Sequence, residues 1–294
     1  MKGILKAQGV NKSYKENHVL RDLDLELEPG RIYGLIGRNG VGKTTLLGIL
    51  TAQTTMDSGS VTYDGQPVWE NRAVLDQLCF SRELNTAGNN GRNAQKVKYY
   101  LKSAAVFYPN WDQEYAHRLL AEFGLDVKKK ISQLSKGQAS MLTILIALAS
   151  RAPLTILDEP AAGLDVVARE RFYQLLLEDY AETNRTFVIS THIIEEAASV
   201  FERVLILDQG HIIENAPTEE LVDQFRTVSG LEDVVDEVTR GMNVLSVQQL
   251  GRRKTVVVRG DSGKLAQAQA ADVDVVPMNL QSVFVALCGH GDVQ

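Results

Sequence analysis

Few features of secreted, membrane-spanning or metal-binding chains occur in this sequence of 294 residues. Its two cysteines, Cys79 and Cys288, lie far apart and fit no metal-ligand spacing, so we expect reduced thiols. Its longest apolar run, Met141 to Ala149, is much shorter than the roughly eighteen residues that a bilayer-crossing helix needs. The amino terminus turns polar by Asn11, too early for a signal peptide. These absences predict a cytoplasmic chain.

Blocks of basic residues that would favour nucleic acid are also absent. The formal net charge is −6, and no block contains five or more basic residues. The run Lys128 to Lys130 is typical of a solvated loop rather than of a nucleic-acid-binding stripe. The sequence therefore predicts no nucleic-acid partner.

Apolar periodicity predicts a large α/β domain. Ile4 to Leu27 alternates apolar and polar residues, as the strands of an antiparallel layer do. Further along, strand-like runs alternate with helical segments, which predicts a largely parallel sheet covered on both faces. The strand-like runs are Ile32 to Ile36, Leu154 to Leu157, Thr186 to Ile189 and Val204 to Leu207, and the helical segments are Thr44 to Leu50, Val97 to Phe107, Gln113 to Phe123, Ser135 to Ser150 and Val167 to Tyr180.

Turn-forming residues and a change of pattern suggest how the chain is divided. Asp64-Gly65 after Val61-Thr62-Tyr63 predicts a hairpin, and Asn85 to Asn93 reads as a polar loop. We place one domain at 1–224, with a helical subdomain at about 84–150, and a small α+β accessory domain at 225–294. The accessory domain is expected to serve dimer contact, regulation or stability rather than chemistry, and its predicted elements are strands at Thr255 to Val258 and Val273 to Val276 and a helix at Leu280 to Leu287.

The clearest motif lies between the strand at Ile32 to Ile36 and the helix at Thr44. The segment Gly37-Arg38-Asn39-Gly40-Val41-Gly42-Lys43-Thr44 fits the phosphate-binding pattern G-x-x-x-x-G-K-[ST]. Glycines let successive backbone N–H groups ring an anion, and the helix adds its positive end. Lys43 supplies charge for the outer phosphates, and the Thr44 hydroxyl can ligate Mg²⁺. The predicted phosphate-binding residues are Gly37, Asn39, Gly40, Gly42, Lys43, Thr44 and Thr45.

Two adjacent carboxylates, Asp158 and Glu159, follow the apolar strand at Leu154 to Leu157. A strand buried on both faces carries no charge, so both carboxylates must lie at its exit. Ligands of open parallel sheets bind at that edge, next to the phosphate loop. We therefore expect Asp158 to reach the Mg²⁺ shell and Glu159 to orient or deprotonate the attacking water.

The segment Leu134-Ser135-Lys136-Gly137-Gln138 resembles the LSGGQ signature of ABC ATPases. From about residue 2 to residue 220 the chain is similar to the nucleotide-binding subunit of an ABC transporter. Gly163-Leu164-Asp165 looks like the D-loop of that family, and His192 looks like its switch histidine. Tyr14 lies where the family stacks an aromatic ring on adenine. The resemblance implies a P-loop NTPase fold of ABC type, with an antiparallel β layer and a helical subdomain.

This resemblance implies a site that two chains share. In ABC proteins the helix end formed here by Ser135, Gly137 and Gln138 meets the γ-phosphate held by the P-loop of the opposite subunit. ATP then joins the two chains and hydrolysis releases them, which drives the membrane subunits. His192 would hold the γ-phosphate, and Asp165 would link the two sites. The implied ligands are ATP and Mg²⁺.

Two residues depart from the family pattern. Lys136 stands at a glycine-type position of the signature, where contacts through backbone N–H groups tolerate a side chain that points away. The glutamine of the family's Q-loop is absent, and its spacing from Lys43 leads to Glu83. Glu83 is expected to reach the metal as a carboxylate, the alternative being that this segment is misaligned.

We therefore predict the ATP-hydrolysing subunit of an ABC transporter. The resemblance of Tyr108 to Asp112, the lysine-rich loop and the signature to bacterial exporters of antibiotic- or peptide-response systems favours export. The implied partners are separate transmembrane subunits and a second, identical or different, ATP-binding subunit, with the chain peripheral on the cytoplasmic face of the membrane. The alternatives are a soluble ABC-type ATPase with a non-membrane partner, an ordinary P-loop kinase and a catalytically dead regulatory subunit.

Overall fold

An antiparallel sheet forms the first layer of the structure, a computed structural model that describes residues 3–84, 94–260 and 272–289. Its strand order is β2-β1-β4-β5. Apolar residues alternate with polar ones along β1 and β2, so that one face of this sheet is buried and the other is solvated. Its strands are β1 (Leu5–Tyr14), β2 (Asn17–Leu27), β4 (Ser58–Tyr63) and β5 (Gln66–Pro67).

A six-stranded sheet forms the centre, in the order β10-β9-β3-β8-β7-β6. Five of these strands run parallel, and β10 adds to the edge antiparallel to β9. Every residue of β3, β7 and β8 is buried, which explains why these strands are mainly apolar in the sequence. The strands are β3 (Ile32–Ile36), β6 (Leu78–Ser81), β7 (Leu154–Asp158), β8 (Thr186–Thr191), β9 (Arg203–Asp208) and β10 (His211–Pro217).

Helices cover both faces of the central sheet. One buried cluster joins β3, the antiparallel sheet and α1, and another joins the opposite face of the sheet to α3–α7. The helices are α1 (Lys43–Leu50), α2 (Arg72–Leu75), α3 (Val97–Phe107), α4 (Gln113–Glu122), α5 (Lys136–Ala149), α6 (Val166–Thr183), α7 (Ile194–Ala197), α8 (Thr218–Asp223), α9 (Glu232–Val238) and α10 (Leu280–Cys288).

The carboxy-terminal segment builds a third sheet, in the order β12-β13-β11-β14. Its strands are β11 (Phe225–Leu231), β12 (Asn243–Leu250), β13 (Arg253–Arg259) and β14 (Asp274–Pro277). This sheet has a small core of its own with α9, whereas α10 contacts α7 and α8 as well as β12 and joins the large cluster below the central sheet. The division of the chain at 224/225 therefore remains a proposal, because the buried core continues across it through Phe225 and α10.

The fold class predicted from the sequence is confirmed. The strands and helices expected before residue 224 are present within a few residues of their predicted bounds, and the Asp64-Gly65 hairpin joins β4 to β5. The predictions did not include β6 or the antiparallel edge strand β10. The loop expected at Asn85 to Asn93 lies outside the described residues. Across the described parts of the chain, no helix combines the length and apolar character that crossing a membrane requires.

Candidate functional site

The phosphate loop connects β3 to α1 and is shaped by glycines with positive φ. Gly40 has φ 79° and Gly42 has φ 115°, values that L-residues with side chains rarely adopt. Gly37 has no room for a side chain, because a Cβ there would lie 2.6 Å from the Leu207 carbonyl oxygen. Asn39 is exposed, and Thr45 is half-buried in the first turn of α1. The loop thus has the backbone shape that cradles an anion at a helix N-terminus.

The Lys43 side chain lies inside the phosphate loop and bonds to its backbone. Its side chain is buried, and Nζ donates to the carbonyl oxygens of Gly37 at 2.8 Å and Arg38 at 3.3 Å. Burial lowers the pKa of the Lys43 ammonium, while the Glu159 and Asp158 carboxylates oppose that shift. A triphosphate entering the loop would add negative charge beside the ammonium and so favour its protonated form.

Asp158 ends β7 directly beside the phosphate loop. Its Oδ2 accepts a hydrogen bond from Thr44 Oγ1 at 2.7 Å, and its Oδ1 accepts one from Ser190 Oγ. Thr44 and Asp158 therefore meet beside the phosphate loop, although they are distant in sequence. Ser190 was not predicted; its hydroxyl at the end of the apolar strand β8 was a signal that could have identified it.

The paired oxygens of Thr44 and Asp158 fit a magnesium ion. A hydroxyl and a carboxylate are hard oxygen ligands, and Mg²⁺ in nucleotide sites takes one or two such ligands together with phosphate oxygens. Within the described residues, no cluster of three or more His, Cys, Asp or Glu side chains could hold a metal by itself.

Glu159 and His192 form the second part of the site. Glu159 Oε2 lies 2.7 Å from His192 Nδ1, and Glu159 Oε1 lies 4.0 Å from Lys43 Nζ. The Glu159 backbone is in the left-handed region at φ 51°, and its N–H donates to the carbonyl and hydroxyl oxygens of Ser190, both at 3.1 Å. This unfavourable conformation, stabilised by two hydrogen bonds, aims the carboxylate out of the sheet edge toward the phosphate loop and His192.

Tyr14 lies at the end of β1, in the hairpin that approaches the phosphate loop. A Cβ on Gly42 would lie 2.7 Å from Val19 Cγ1, so β2 packs directly on that loop. The Tyr14 side chain is 50% exposed and Lys12 Nζ lies 5.3 Å from its ring centroid. An exposed ring in the hairpin whose second strand packs on the phosphate loop is available to stack on a base.

The signature residues form the start of α5. Ser135 is the N-cap: its Oγ accepts from the Gln138 N–H at 3.2 Å, and the Gln138 side chain accepts from the Ser135 N–H at 3.3 Å. Gly137 packs on the D-loop, since a Cβ there would lie 3.0 Å from the Gly163 carbonyl oxygen. Asp165 caps α6 by accepting from the Ala168 N–H at 2.9 Å. These residues form a second group, beside the D-loop, with an exposed helix start.

Glu83 follows β6 and contacts this second group. Its Oε1 lies 3.3 Å from Lys136 Nζ, and its side chain is 52% exposed. The structure thus pairs the two residues that depart from the family pattern. The sequence predicted that a side chain at position 136 is tolerated and that Glu83 reaches the metal, and it did not predict this pair. The metal role of Glu83 remains a prediction.

Comparison with known proteins identifies the family. The family model described as "ABC transporter" matches residues 20–162. The ABC transporter ATP-binding protein YtrB of Bacillus subtilis is 28% identical over 97% of this chain and 98% of its own length. An aliphatic sulfonates import ATP-binding protein of Agrobacterium fabrum, SsuB 2, is 32% identical over 70% of this chain and 76% of its own length. A Nod factor export ATP-binding protein of Cupriavidus metallidurans is 29% identical over 99% of both chains.

Solved structures agree on the fold. A structure described as the ATP-binding subunit of an ABC transporter matches with a TM-score of 0.64 and 24% identity, over 75% of this chain and 92% of that one. The chain belongs to the family of ABC transporter ATP-binding subunits. It binds ATP and is an ATPase.

Proposed function

We propose that this chain drives export through separate membrane subunits by closing on a second ATP-binding subunit when ATP is bound. The observation that carries the proposal is the division of the predicted site residues into two groups. Lys43, Thr44, Asp158, Glu159 and His192 converge around the phosphate loop. The Ser135 end of α5 is exposed and packs on the D-loop of the same chain. An exposed N-terminus of a helix favours an anion, so a second subunit can bring its ATP there.

In this mechanism the residues of one chain act in sequence on ATP. The phosphate loop and Lys43 bind the phosphates, and Tyr14 stacks on the base. Mg²⁺ at Thr44 and Asp158 would neutralise phosphate charge. Glu159 accepts the proton of the attacking water, and His192, which lies 2.7 Å from that carboxylate, orients it and reaches the γ-phosphate. The Ser135 end of the opposite subunit closes the site, and Asp165 links the two sites.

A groove between α2 and α3 supports docking of a membrane partner. It has a volume of about 850 Å³, and its apolar wall includes Tyr99, Val106 and Phe107. Val106 is 82% exposed and Phe107 is 69% exposed, which is unusual for large apolar residues that lie together. Charged residues border the groove, among them Arg72 and Lys102. A cytoplasmic helix of the membrane subunit, with apolar anchors and polar flanks, fits such a surface.

Export is supported by how much of the chain its relatives match. The Nod factor export protein matches 99% of this chain, including the segment after residue 224, whereas the sulfonate import protein matches 70%. The chain would then lie at the cytoplasmic face of the membrane, attached through its partner and without nucleic acid.

Co-purification from native membranes tests this proposal. Tagged chain, extracted in mild detergent, should bring down an integral membrane protein that mass spectrometry identifies. Phe107→Glu should no longer bring down that protein, because it places a charge on the apolar wall of the groove. It should keep ATP binding, because the phosphate loop is unchanged. The control Leu177→Glu, at a 43% exposed apolar residue of α6, should keep it. Capture of soluble proteins alone, or retention of the membrane protein by Phe107→Glu, would contradict the proposal.

A further inference from the structure

One stripe of α5 faces the loops that follow β6 and β7. Two polar side chains on this stripe, Lys136 and Ser140, and the backbone carbonyl of Thr143 have the spacing of one helix face. Ser140 Oγ donates to the Ala162 carbonyl oxygen at 2.6 Å, and Ser81 Oγ donates to the Thr143 carbonyl oxygen at 3.1 Å. Lys136 Nζ pairs with Glu83 Oε1 at 3.3 Å. The stripe thus joins α5 to both exits of neighbouring parallel strands.

The Lys136 side chain contacts two different loops. Its stem lies on Gly163, where a Cβ would come within 2.5 Å of Lys136 Cγ, and Gly163 itself has φ 84°. Its ammonium reaches Glu83 on the other loop. A single side chain of the first helical turn therefore touches the D-loop and the segment after β6. Lys136 follows Ser135 directly, so both contacts are made in the turn that Ser135 caps.

We propose that Glu83 is a positioning residue: its ion pair with Lys136 orients the first turn of α5, and with it Ser135, relative to the Asp158–Glu159 edge. This inference rests on the proposed function, in which the Ser135 end completes the ATP site of a second subunit. It assigns the carboxylate at the position of the missing glutamine to an ion pair with the signature, not to the metal.

The size of the effect follows from exposure. Side chains that are 52% and 60% exposed lie in a high dielectric, and such pairs change an equilibrium by about twofold to fivefold. Reversing one charge replaces attraction by repulsion at the same distance and so has a larger effect than neutralising it. Reversing both charges restores the attraction.

A charge-swap cycle in the full-length chain tests the inference. Glu83→Lys and Lys136→Glu should each lower kcat by about fivefold. For Glu83→Lys, the KM for ATP should change by less than about twofold, because that side chain lies outside the phosphate loop. The double swap should recover most of kcat. The matched control is the pair Lys6–Glu26, 46% and 50% exposed at 3.1 Å, whose reversal should leave kcat unchanged.

Two further measurements separate the possible failures. Hydrogen exchange of the amides at 135–139 should accelerate in each single reversal and recover in the double swap, whether or not a second subunit is needed. Suppose that exchange accelerates in the single reversals and recovers in the double swap, but that turnover is the same in all of these variants. That result would contradict the shared site of the proposed function, and it would overturn the positioning role with it. A double swap as impaired as the worse single variant would overturn the ion pair. A raised Mg²⁺ requirement in Glu83→Lys but not in Lys136→Glu would assign Glu83 to the metal instead.

Discussion

Replacing Glu159 with glutamine removes the carboxylate that we assign to water activation and changes little else. Glutamine matches glutamate in size, and its amide can keep a hydrogen bond to His192, now 2.7 Å from Glu159 Oε2. The backbone N–H bonds to Ser190 do not involve the side chain, so the conformation at φ 51° should persist. The substitution therefore tests the charge and basicity of one group.

The expected loss of turnover is large. General-base catalysis contributes typically about 10²–10⁴-fold, which is about 3–5 kcal/mol of activation free energy. ATP affinity should be equal or higher, because a negative charge 4.0 Å from Lys43 Nζ, next to the expected triphosphate, is removed. A loss of kcat with unchanged or lower KM is the pattern of a group that acts in the transition state.

Steady-state phosphate release and equilibrium ATP binding measure the two quantities. The control is Glu195→Gln, an exposed carboxylate in the first turn of α7, which should retain wild-type turnover. Turnover of Glu159→Gln within about tenfold of wild type would refute the assignment of this residue as the base. A large loss of ATP binding would show that Glu159 supports the nucleotide rather than the chemistry.

Three further changes probe binding and the fold. Lys43→Ala should weaken ATP binding by about tenfold to a hundredfold, because hydrogen bonds to charged groups contribute about 1.5–3 kcal/mol. Calorimetry measures the affinity, and an unchanged value would contradict the assignment of Lys43 to phosphate binding. Asp179→Ala leaves the buried Arg185 guanidinium without its partner carboxylate, whose two oxygens lie 2.7 and 2.8 Å from Arg185 nitrogens. This variant should lose about 3–5 kcal/mol of unfolding free energy, measured by urea titration. The control Glu178→Ala, at an exposed carboxylate, should lose under about 1 kcal/mol. Deleting 279–294 removes α10 from the main core and should lower the unfolding free energy by about 3 kcal/mol or more; an unchanged urea midpoint would make the tail an independent appendage.

The sequence predicted the central sheet well because its strands are buried on both faces. Burial on two sides favours apolar residues, and the middle of β3, β7 and β8 stands out for that reason, whereas the buried polar residues Asp158 and Ser190 lie toward the ends of β7 and β8. The phosphate loop was predictable because its backbone conformation requires glycine at fixed positions, and the spacing of those glycines is visible in the sequence. By contrast, β10 alternates exposed and half-buried residues at the sheet edge, and β6 is four residues long. Such strands have little local signal and depend on pairing with distant segments.

Contacts between distant loops were not predictable from local patterns. The left-handed conformation of Glu159 is stabilised by hydrogen bonds to Ser190 on the neighbouring strand β8. The local sequence Asp158-Glu159-Pro160 does not predict this conformation. The pairing of Glu83 with Lys136 joins two residues that, taken separately, were departures from a motif. The C-terminal segment was recognised as a change of pattern, but tertiary packing decides that α10 belongs with the main core.

Size-exclusion chromatography with light scattering, on Glu159→Gln with Mg-ATP, tests most directly the claim that ATP joins two chains. With cleavage blocked, ATP should persist between the phosphate loop of one chain and the Ser135 end of another, giving a long-lived dimer. Because the isolated chain can associate weakly, the co-purified partner subunits belong in a parallel run. Adding Ser135→Arg should abolish the dimer, since a bulky side chain at the N-cap blocks the opposite phosphate. A monomer with bound ATP in both runs, or a dimer unaffected by Ser135→Arg, would contradict the shared-site mechanism.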